Sequence, residues 1–330
     1  MADVIRAEGL SKRYGTVQAL DGLDLAVPEG TVLGLLGPNG SGKTTAVSIL
    51  TTLIEADEGT ATVAGADVRT QPAKVRQRIG LSGQYAAVDE VLTGYENLEM
   101  IGRLYRMPKR RARERARALL DRFDLAEAAD RPVKTYSGGM RRRLDLAGSI
   151  IAEPPVLFLD EPTTGLDPRS RTDLWDVIRD LVGLGTTLLL TTQYLEEADQ
   201  LADDILVIDH GREIAHGTAV ELKREVGGER IEVTVRDADE VETARAILDE
   251  VAVGDVGIES RTLVAPIRGG AKVLRVALDR LAAEEVEVGD VGLRLPTLDE
   301  VFLSLTGHAA DGDASDTPAT ADADDAEVAR

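Results

Sequence analysis

The residues with the most chemistry in them are Gly37-Pro38-Asn39-Gly40-Ser41-Gly42-Lys43-Thr44-Thr45. An apolar run, Thr31 to Leu36, precedes them, and a helix-like segment, Thr45 to Leu53, follows. Strand, Gly-rich turn and helix are the context in which this spacing becomes a phosphate cradle. The glycines let successive backbone N–H groups turn inward around β-phosphate oxygens. The helix N-terminus adds unsatisfied donors and the positive end of a dipole. Lys43 supplies a mobile charge for the β- and γ-phosphates, and the Thr44 hydroxyl is a ligand for Mg²⁺. An ordinary Gly-rich turn is the plainer alternative, and the intact flanking pattern disfavours it. The stretch reads as a nucleoside-triphosphate site.

A second group lies at the end of Val156-Leu157-Phe158-Leu159-Asp160-Glu161. A wholly apolar strand implies a buried parallel position, and ligands bind at the carboxyl ends of such strands. Asp160 is placed to hold Mg²⁺ through water, and Glu161 to polarise an attacking water. Ser137-Gly138-Gly139, just before a helix from Arg141 to Ile151, offers further phosphate-directed donors, with Ser137 as cap and ligand. Gln84, at the end of Ile79-Gly80-Leu81-Ser82-Gly83, is either a loop residue or a switch that touches Mg²⁺ and senses the γ-phosphate. Gln193 ends a second buried strand, Thr186 to Thr192, and is expected beside Glu161. Tyr14 is either a stacking partner for adenine or a half-buried aromatic at a strand end.

The elements that must position these residues are legible in outline. Leu23, Leu25 and Val27 alternate as a strand ending at Pro28-Glu29-Gly30, and Gly59 to Val68 reads as another. Residues 88–131 look helical and charged. From Arg111 to Phe123 the positions Ala112, Ala116, Leu119, Leu120 and Phe123 share one face, and the arginines beside them read as a solvated surface. Thr163 to Pro168 turns into a helix through Leu181, and Asp204 to Thr218 reads as a hairpin around His210-Gly211. Further on, Ile231, Val233 and Val235 alternate as a strand, Val241 to Leu248 has helical spacing, and strands at 262–267 and 286–295 flank a helix at 272–284. That order resembles a split βαβ arrangement. Leu298, Val301, Phe302 and Leu305 fall at i, i+3, i+4, i+7, giving a final helix.

The expected organisation is thus a catalytic unit at 1–218, a small α+β unit at 219–307 and a disordered acidic tail at 308–330. Ordering backbone costs roughly 1–2 kcal/mol per residue, and this tail has almost nothing apolar to offset it. A length of 330 residues suits about two domains. The formal net charge of −21 argues against nucleic acid as a main partner. With no cysteine there is no disulfide or thiolate metal site, and His210, His216 and His308 lack ligand spacing. No signal peptide is expected before the first strand, and no apolar run approaches the roughly 18–20 residues needed to span a bilayer. Any membrane work is expected to fall to a partner.

Lys43, Gln84, Ser137-Gly138-Gly139, Asp160-Glu161 and Gly165-Leu166-Asp167 together resemble, in order and rough spacing, the nucleotide-binding subunit of ABC transporters. The resemblance covers residues 3–218. Leu81 to Asp89, Tyr136 to Ala147 and Leu190 to Asp199 are similar to the daunorubicin-resistance type of exporter ATPase, as is Pro296-Thr297-Leu298-Asp299-Glu300-Val301-Phe302-Leu303. Met140 stands where many members have Gln, and Gln193 where most have His; Gln there is typical of this group.

The resemblance implies a P-loop ABC ATPase domain with a mixed sheet, a helical subdomain and an N-terminal antiparallel β subdomain. It implies ATP and Mg²⁺, with Asp167 among the nucleotide-facing residues. It further implies a homodimer sandwiching two ATP molecules, Lys43 and Glu161 of one subunit facing Ser137 and Gly139 of the other. A separate integral-membrane permease would dock near Gln84 to Asn97, holding the chain in the cytoplasm on the inner face of the membrane. Export of a hydrophobic or amphipathic compound is the function this implies. A slow or non-hydrolysing regulatory module is the alternative, motivated by Gln193. A soluble ABC ATPase of DNA repair or ribosome function is disfavoured by the single cassette and the acidic charge.

Overall fold

The computed structural model describes residues 3–83 and 87–306. Its centre is a six-stranded sheet in the order Arg212–Gly217, Asp204–Asp209, Val32–Leu36, Thr187–Thr192, Val156–Asp160, Ile79–Ser82. All pairings are parallel except the edge hairpin of Asp204–Asp209 with Arg212–Gly217. Val32–Leu36, Val156–Asp160 and Thr187–Thr192 are buried at every position, as strands covered on both faces must be. Leu36 lies opposite Thr192, Asp160 opposite Thr191 and Ser82 opposite Leu159. In consequence Gly37, Gln193, Glu161 and Gly83 all leave the sheet along one edge.

A second sheet packs the other side of the helix Lys43–Leu50. It is antiparallel, in the order Val17–Pro28, Asp3–Tyr14, Glu58–Val63, Ala66–Asp67. Ile5, Leu23, Leu25 and Val27 share one core with Leu33, Leu35, Val47 and Leu50.

The charged stretch forms the helices Gly94–Leu104 and Lys109–Arg122. The first starts with a capping box of Thr93 and Glu96. The second buries Ala112, Ala116, Leu119 and Leu120, and its arginines pair within the chain: Arg113 with Glu99, Arg111 and Arg115 with Glu153. This basic helix is a solvated face of the helical layer. The helix after the Ser-Gly-Gly turn begins at Gly138 rather than Arg141 and ends at Ser149.

Beyond Gly228 a four-stranded antiparallel sheet forms in the order Gly257–Glu259, Thr262–Ile267, Glu229–Val235, Val288–Arg294. Helices Val241–Asp249 and Ala271–Ala283 cover one face, with Ile231, Val233, Leu248, Leu263, Ala277 and Leu281 between the layers. Strand, helix, two strands, helix, strand, with the first strand between the third and fourth, is the split βαβ arrangement.

One expectation changes. The span 219–307 is not gathered on one core. Helices Ala219–Gly227 and Leu298–Thr306 place Leu222, Leu298, Val301 and Phe302 against Leu36, Leu195, Ala198 and Val207 of the central unit. Periodicity shows that a helix has an apolar face; it cannot name the surface that covers it. Gln84 and the tail 308–330 lie outside the described residues.

Candidate nucleotide site

The loop 37–42 needs glycine at two points for steric reasons. A Cβ on Gly37 would stand 2.3 Å from the Ile208 carbonyl and 2.5 Å from Ser41 Oγ. Gly42 is the N-cap of the helix Lys43–Leu50 at φ 112°, and a Cβ there would stand 2.4 Å from the Ala19 carbonyl. Only glycine adopts that backbone without strain. Asn39 and Gly40, at the loop tip, are exposed, while Ser41 and Lys43 are buried.

Lys43 Nζ donates to the carbonyls of Gly37 at 2.7 Å and Pro38 at 3.1 Å. It stands 3.7 Å from Glu161 Oε1, with the two side chains 4% and 6% exposed. Burial pulls the ammonium below its usual pKa, against the opposing influence of Glu161 and Asp160. Thr44 Oγ1 donates to Asp160 Oδ1 at 3.4 Å, so two of the three expected metal ligands meet.

Asp160 and Glu161 are fixed by the neighbouring strand. Thr191 Oγ1 donates to Asp160 Oδ1 at 2.5 Å. The Glu161 N–H is donated to the Thr191 carbonyl and hydroxyl, each at 3.1 Å. Glu161 itself sits at φ +49°, a left-handed conformation that a non-glycine residue adopts only where its surroundings hold it. Thr164 Oγ1 donates to its Oε2 at 3.3 Å.

Mg²⁺ and a triphosphate fit these residues. The donor set is hard oxygen, a carboxylate and a hydroxyl, of the kind Mg²⁺ takes alongside substrate phosphates. Ser41 Oγ and Gln193 Oε1 are buried polar atoms with no hydrogen-bond partner among the described residues. Both lie on segments leaving the carboxyl edge of the sheet, where a polar ligand can serve them.

The remaining expected residues fall in three places. Ser137 caps its helix, accepting from Met140 N at 3.2 Å, and is exposed with Gly138. Gly139 abuts the next helix: a Cβ on it would stand 2.9 Å from Ser170 Oγ. Asp167 caps that helix, Pro168–Gly183, accepting from Ser170 N at 3.0 Å and Ser170 Oγ at 2.6 Å. Those Ser170 contacts hold its carboxyl below the usual carboxylate range. Tyr14 ends its strand 49% exposed, with the Lys12 ammonium 5.8 Å from its ring centroid.

Four residues that motif reading does not single out belong to the same neighbourhood. Thr191 ties Asp160 and the Glu161 N–H to the neighbouring strand. Arg142 and Asp145 are buried on the helix Gly138–Ser149 and reach the carboxyl edge of the sheet. Glu197, wholly buried, accepts from Trp175 Nε1 at 3.2 Å. A signal for the first pair existed: two opposite charges at i, i+3 beside the apolar Leu144, Leu146 and Ala147.

The ABC transporter family profile matches residues 20–164. The chain is 60% identical over 307 residues to the daunorubicin resistance ATP-binding protein DrrA2 of Streptomyces coeruleorubidus, covering 92% of this chain and 95% of that one. It is 52% identical over 313 residues to the daunorubicin/doxorubicin resistance ATP-binding protein DrrA of Streptomyces peucetius, 93% of each chain. Among solved structures, the ADP conformation of an ATP-binding cassette of an ABC transporter superposes with a TM-score of 0.61 at 27% identity, covering 67% of this chain and 93% of that one. Binding and hydrolysis of ATP are therefore the chain's work, and it belongs to the ABC transporter ATP-binding subunits of the daunorubicin-resistance type.

Proposed function

We propose that this chain powers export of a hydrophobic or amphipathic compound through a separate membrane permease. Relatives named for daunorubicin and doxorubicin resistance support the cargo class. No helix among the described residues is long and apolar enough to cross a membrane, so the path for the compound needs another chain or another segment. The chain would sit on the cytoplasmic face, two copies closing on two ATP molecules. The exposed Ser137 and Gly138 of one copy would then reach the nucleotide of the other, with Asp167 at the same interface.

The observation that carries the ATPase reading is the convergence of Lys43, Thr44, Asp160 and Glu161 at the carboxyl edge of the sheet. Backbone N–H groups of residues 37–45 would cradle the phosphates, with Lys43 turning from loop carbonyls to phosphate oxygens. Thr44 and Asp160 would hold Mg²⁺, which neutralises phosphate charge when bound. Gln84 is proposed as a further ligand. Glu161 orients and polarises the attacking water, Gln193 positions water and γ-phosphate, and Tyr14 stacks on the base. Phosphoryl transfer depends mostly on such placement and electrostatics.

Lys43→Ala removes the loop's mobile cation, and binding of a fluorescent ATP analogue at equilibrium should then be lost. Unchanged affinity would remove Lys43 from the site.

A further inference from the structure

Arg142 and Asp145 are 7% and 6% exposed, on the helix that begins with the Ser137 cap. Arg142 Nε donates to the Pro162 carbonyl at 2.7 Å, and its Nη2 to the carbonyls of Asp160 and Glu161, both at 3.2 Å. Its Nη1 donates to the Gly83 carbonyl at 2.5 Å and stands 3.7 Å from Asp145 Oδ2. Asp145 in turn accepts from Ser82 Oγ at 2.6 Å and from the Ala87 N–H at 2.7 Å. A guanidinium can do this because its five donors form a rigid planar fork; a lysine ammonium is a single point.

Three of the carbonyls belong to the consecutive residues Asp160, Glu161 and Pro162. The middle one is the residue at φ +49°. A left-handed turn of this kind persists only where its surroundings over-determine it, and Arg142 supplies three hydrogen bonds across it. The same guanidinium grips the end of the strand Ile79–Ser82 through Gly83, and Asp145 holds both flanks of residues 84–86 through Ser82 and Ala87.

We propose that Arg142, anchored by Asp145, is a positioning residue for Glu161 and the mechanical link between that carboxylate and the helix starting at Gly138. A shift of this helix drags the three carbonyls and so re-aims Glu161, although neither Arg142 nor Asp145 touches a reacting atom. The Ser137–Gly139 turn at one end of the helix and the water-orienting carboxylate thereby move together. The inference rests on reading Glu161 as the residue that orients the attacking water.

A pair that merely fastened helix to sheet would alter folding, ATP affinity and turnover in proportion. The test separates these readouts in the full chain, using steady-state ATP hydrolysis and equilibrium binding of a fluorescent ATP analogue. Arg142→Lys keeps the charge opposite Asp145 but offers one nitrogen; kcat should fall at least about tenfold while affinity stays within about threefold. Added to Glu161→Gln, the same change should cause no further loss, because residues acting as one unit are not additive. Asp145→Asn, which removes the charge opposing the guanidinium, should lower kcat at unchanged affinity, and it carries the test should Arg142→Lys fail to fold. Turnover within about twofold of wild type, or kcat falling only in step with affinity, would overturn the link. So would additive losses in the double variant. Wild-type hydrolysis in Glu161→Gln would overturn the reading of Glu161 and this inference with it. A slow Glu161→Gln beside a normal Arg142→Lys would overturn this inference alone.

Discussion

Thr191 serves Asp160 from the adjacent strand: its hydroxyl donates to Asp160 Oδ1 at 2.5 Å, and its carbonyl takes the N–H of Glu161 at 3.1 Å. Both side chains are buried, Thr191 completely. The parallel register puts Thr191 opposite Asp160, so one residue orients the expected Mg²⁺ ligand and pins the turn that carries Glu161.

Thr191→Val keeps the shape and removes the hydroxyl. A buried acceptor stripped of its donor costs about 1–3 kcal/mol, and an untethered Asp160 is a poorer ligand. Removing a group that orients a metal ligand costs about 10–100-fold in metal affinity or activity, so the Mg²⁺ concentration for half-maximal ATPase activity should rise about tenfold or more. A Mg²⁺ titration of turnover checks it. An unchanged requirement would mean that Asp160 needs no help from this strand.

Glu161→Gln preserves volume and removes the charge that polarises water. ATP should still bind, because Lys43 and the loop are intact, while turnover stalls and an ATP-bound dimer accumulates. Size measurement with and without Mg·ATP decides it. Hydrolysis at the wild-type rate would assign the water-orienting group elsewhere.

The loop 37–45 and the strand Val156–Asp160 were legible because each is a local pattern: spacing, apolarity and the residue at a strand's end travel together in sequence. The same logic predicts that Gln193 follows a buried strand, and it does, directly after Thr187–Thr192. The residues that complete the site were not. Asp145 meets Ser82 across 63 positions, and Thr191 meets Asp160 across 31. Nothing local encodes which buried charge faces which carbonyl. The terminal helix makes the same point from packing: its apolar stripe was plain, but Val301 and Phe302 lie on Leu195 and Ala198 of the central unit, not on the adjacent small sheet.

Glu197 gives the molecule a pH-dependent weak point. Its side chain is wholly buried, and burial pushes its carboxyl above the usual range despite the Trp175 N–H that it accepts. Between the ordinary carboxylate range and that raised value, the folded chain keeps a proton that the unfolded chain has released. Stability from this site is therefore fully present below the ordinary range and lost as pH rises through the raised value. Each unit of elevation is worth about 1.4 kcal/mol. Glu197→Gln keeps an acceptor for Trp175 and carries no charge at any pH. Its melting temperature should gain on the wild type as pH goes from about 5 to 8, by roughly 2–4 °C per kcal/mol for a domain of this size. A difference constant across that range would remove Glu197 as the cause.

Gln193 decides between a hydrolysing subunit and a slow regulatory one. It follows the buried strand Thr187–Thr192, half-buried, and its Oε1 is buried with no hydrogen-bond partner among the described residues. An amide donates and accepts hydrogen bonds but cannot carry a proton near pH 7. If general acid–base work were needed here, the natural Gln would forfeit about 10²–10⁴ in rate. If the residue only positions water and phosphate, the stake is one hydrogen bond, about 0.5–1.5 kcal/mol, or up to about tenfold. Positioning is favoured because Glu161 already supplies a carboxylate beside Lys43, 3.7 Å away, and phosphoryl transfer needs little proton traffic in its transition state. Gln193→His should therefore change turnover by less than about tenfold, and Gln193→Ala should lower it further by leaving water and phosphate unheld. Steady-state ATPase assays with the permease present measure both. A hundredfold gain in the His variant would mean that the natural chain lacks a proton carrier and works as the slow, nucleotide-gated module instead.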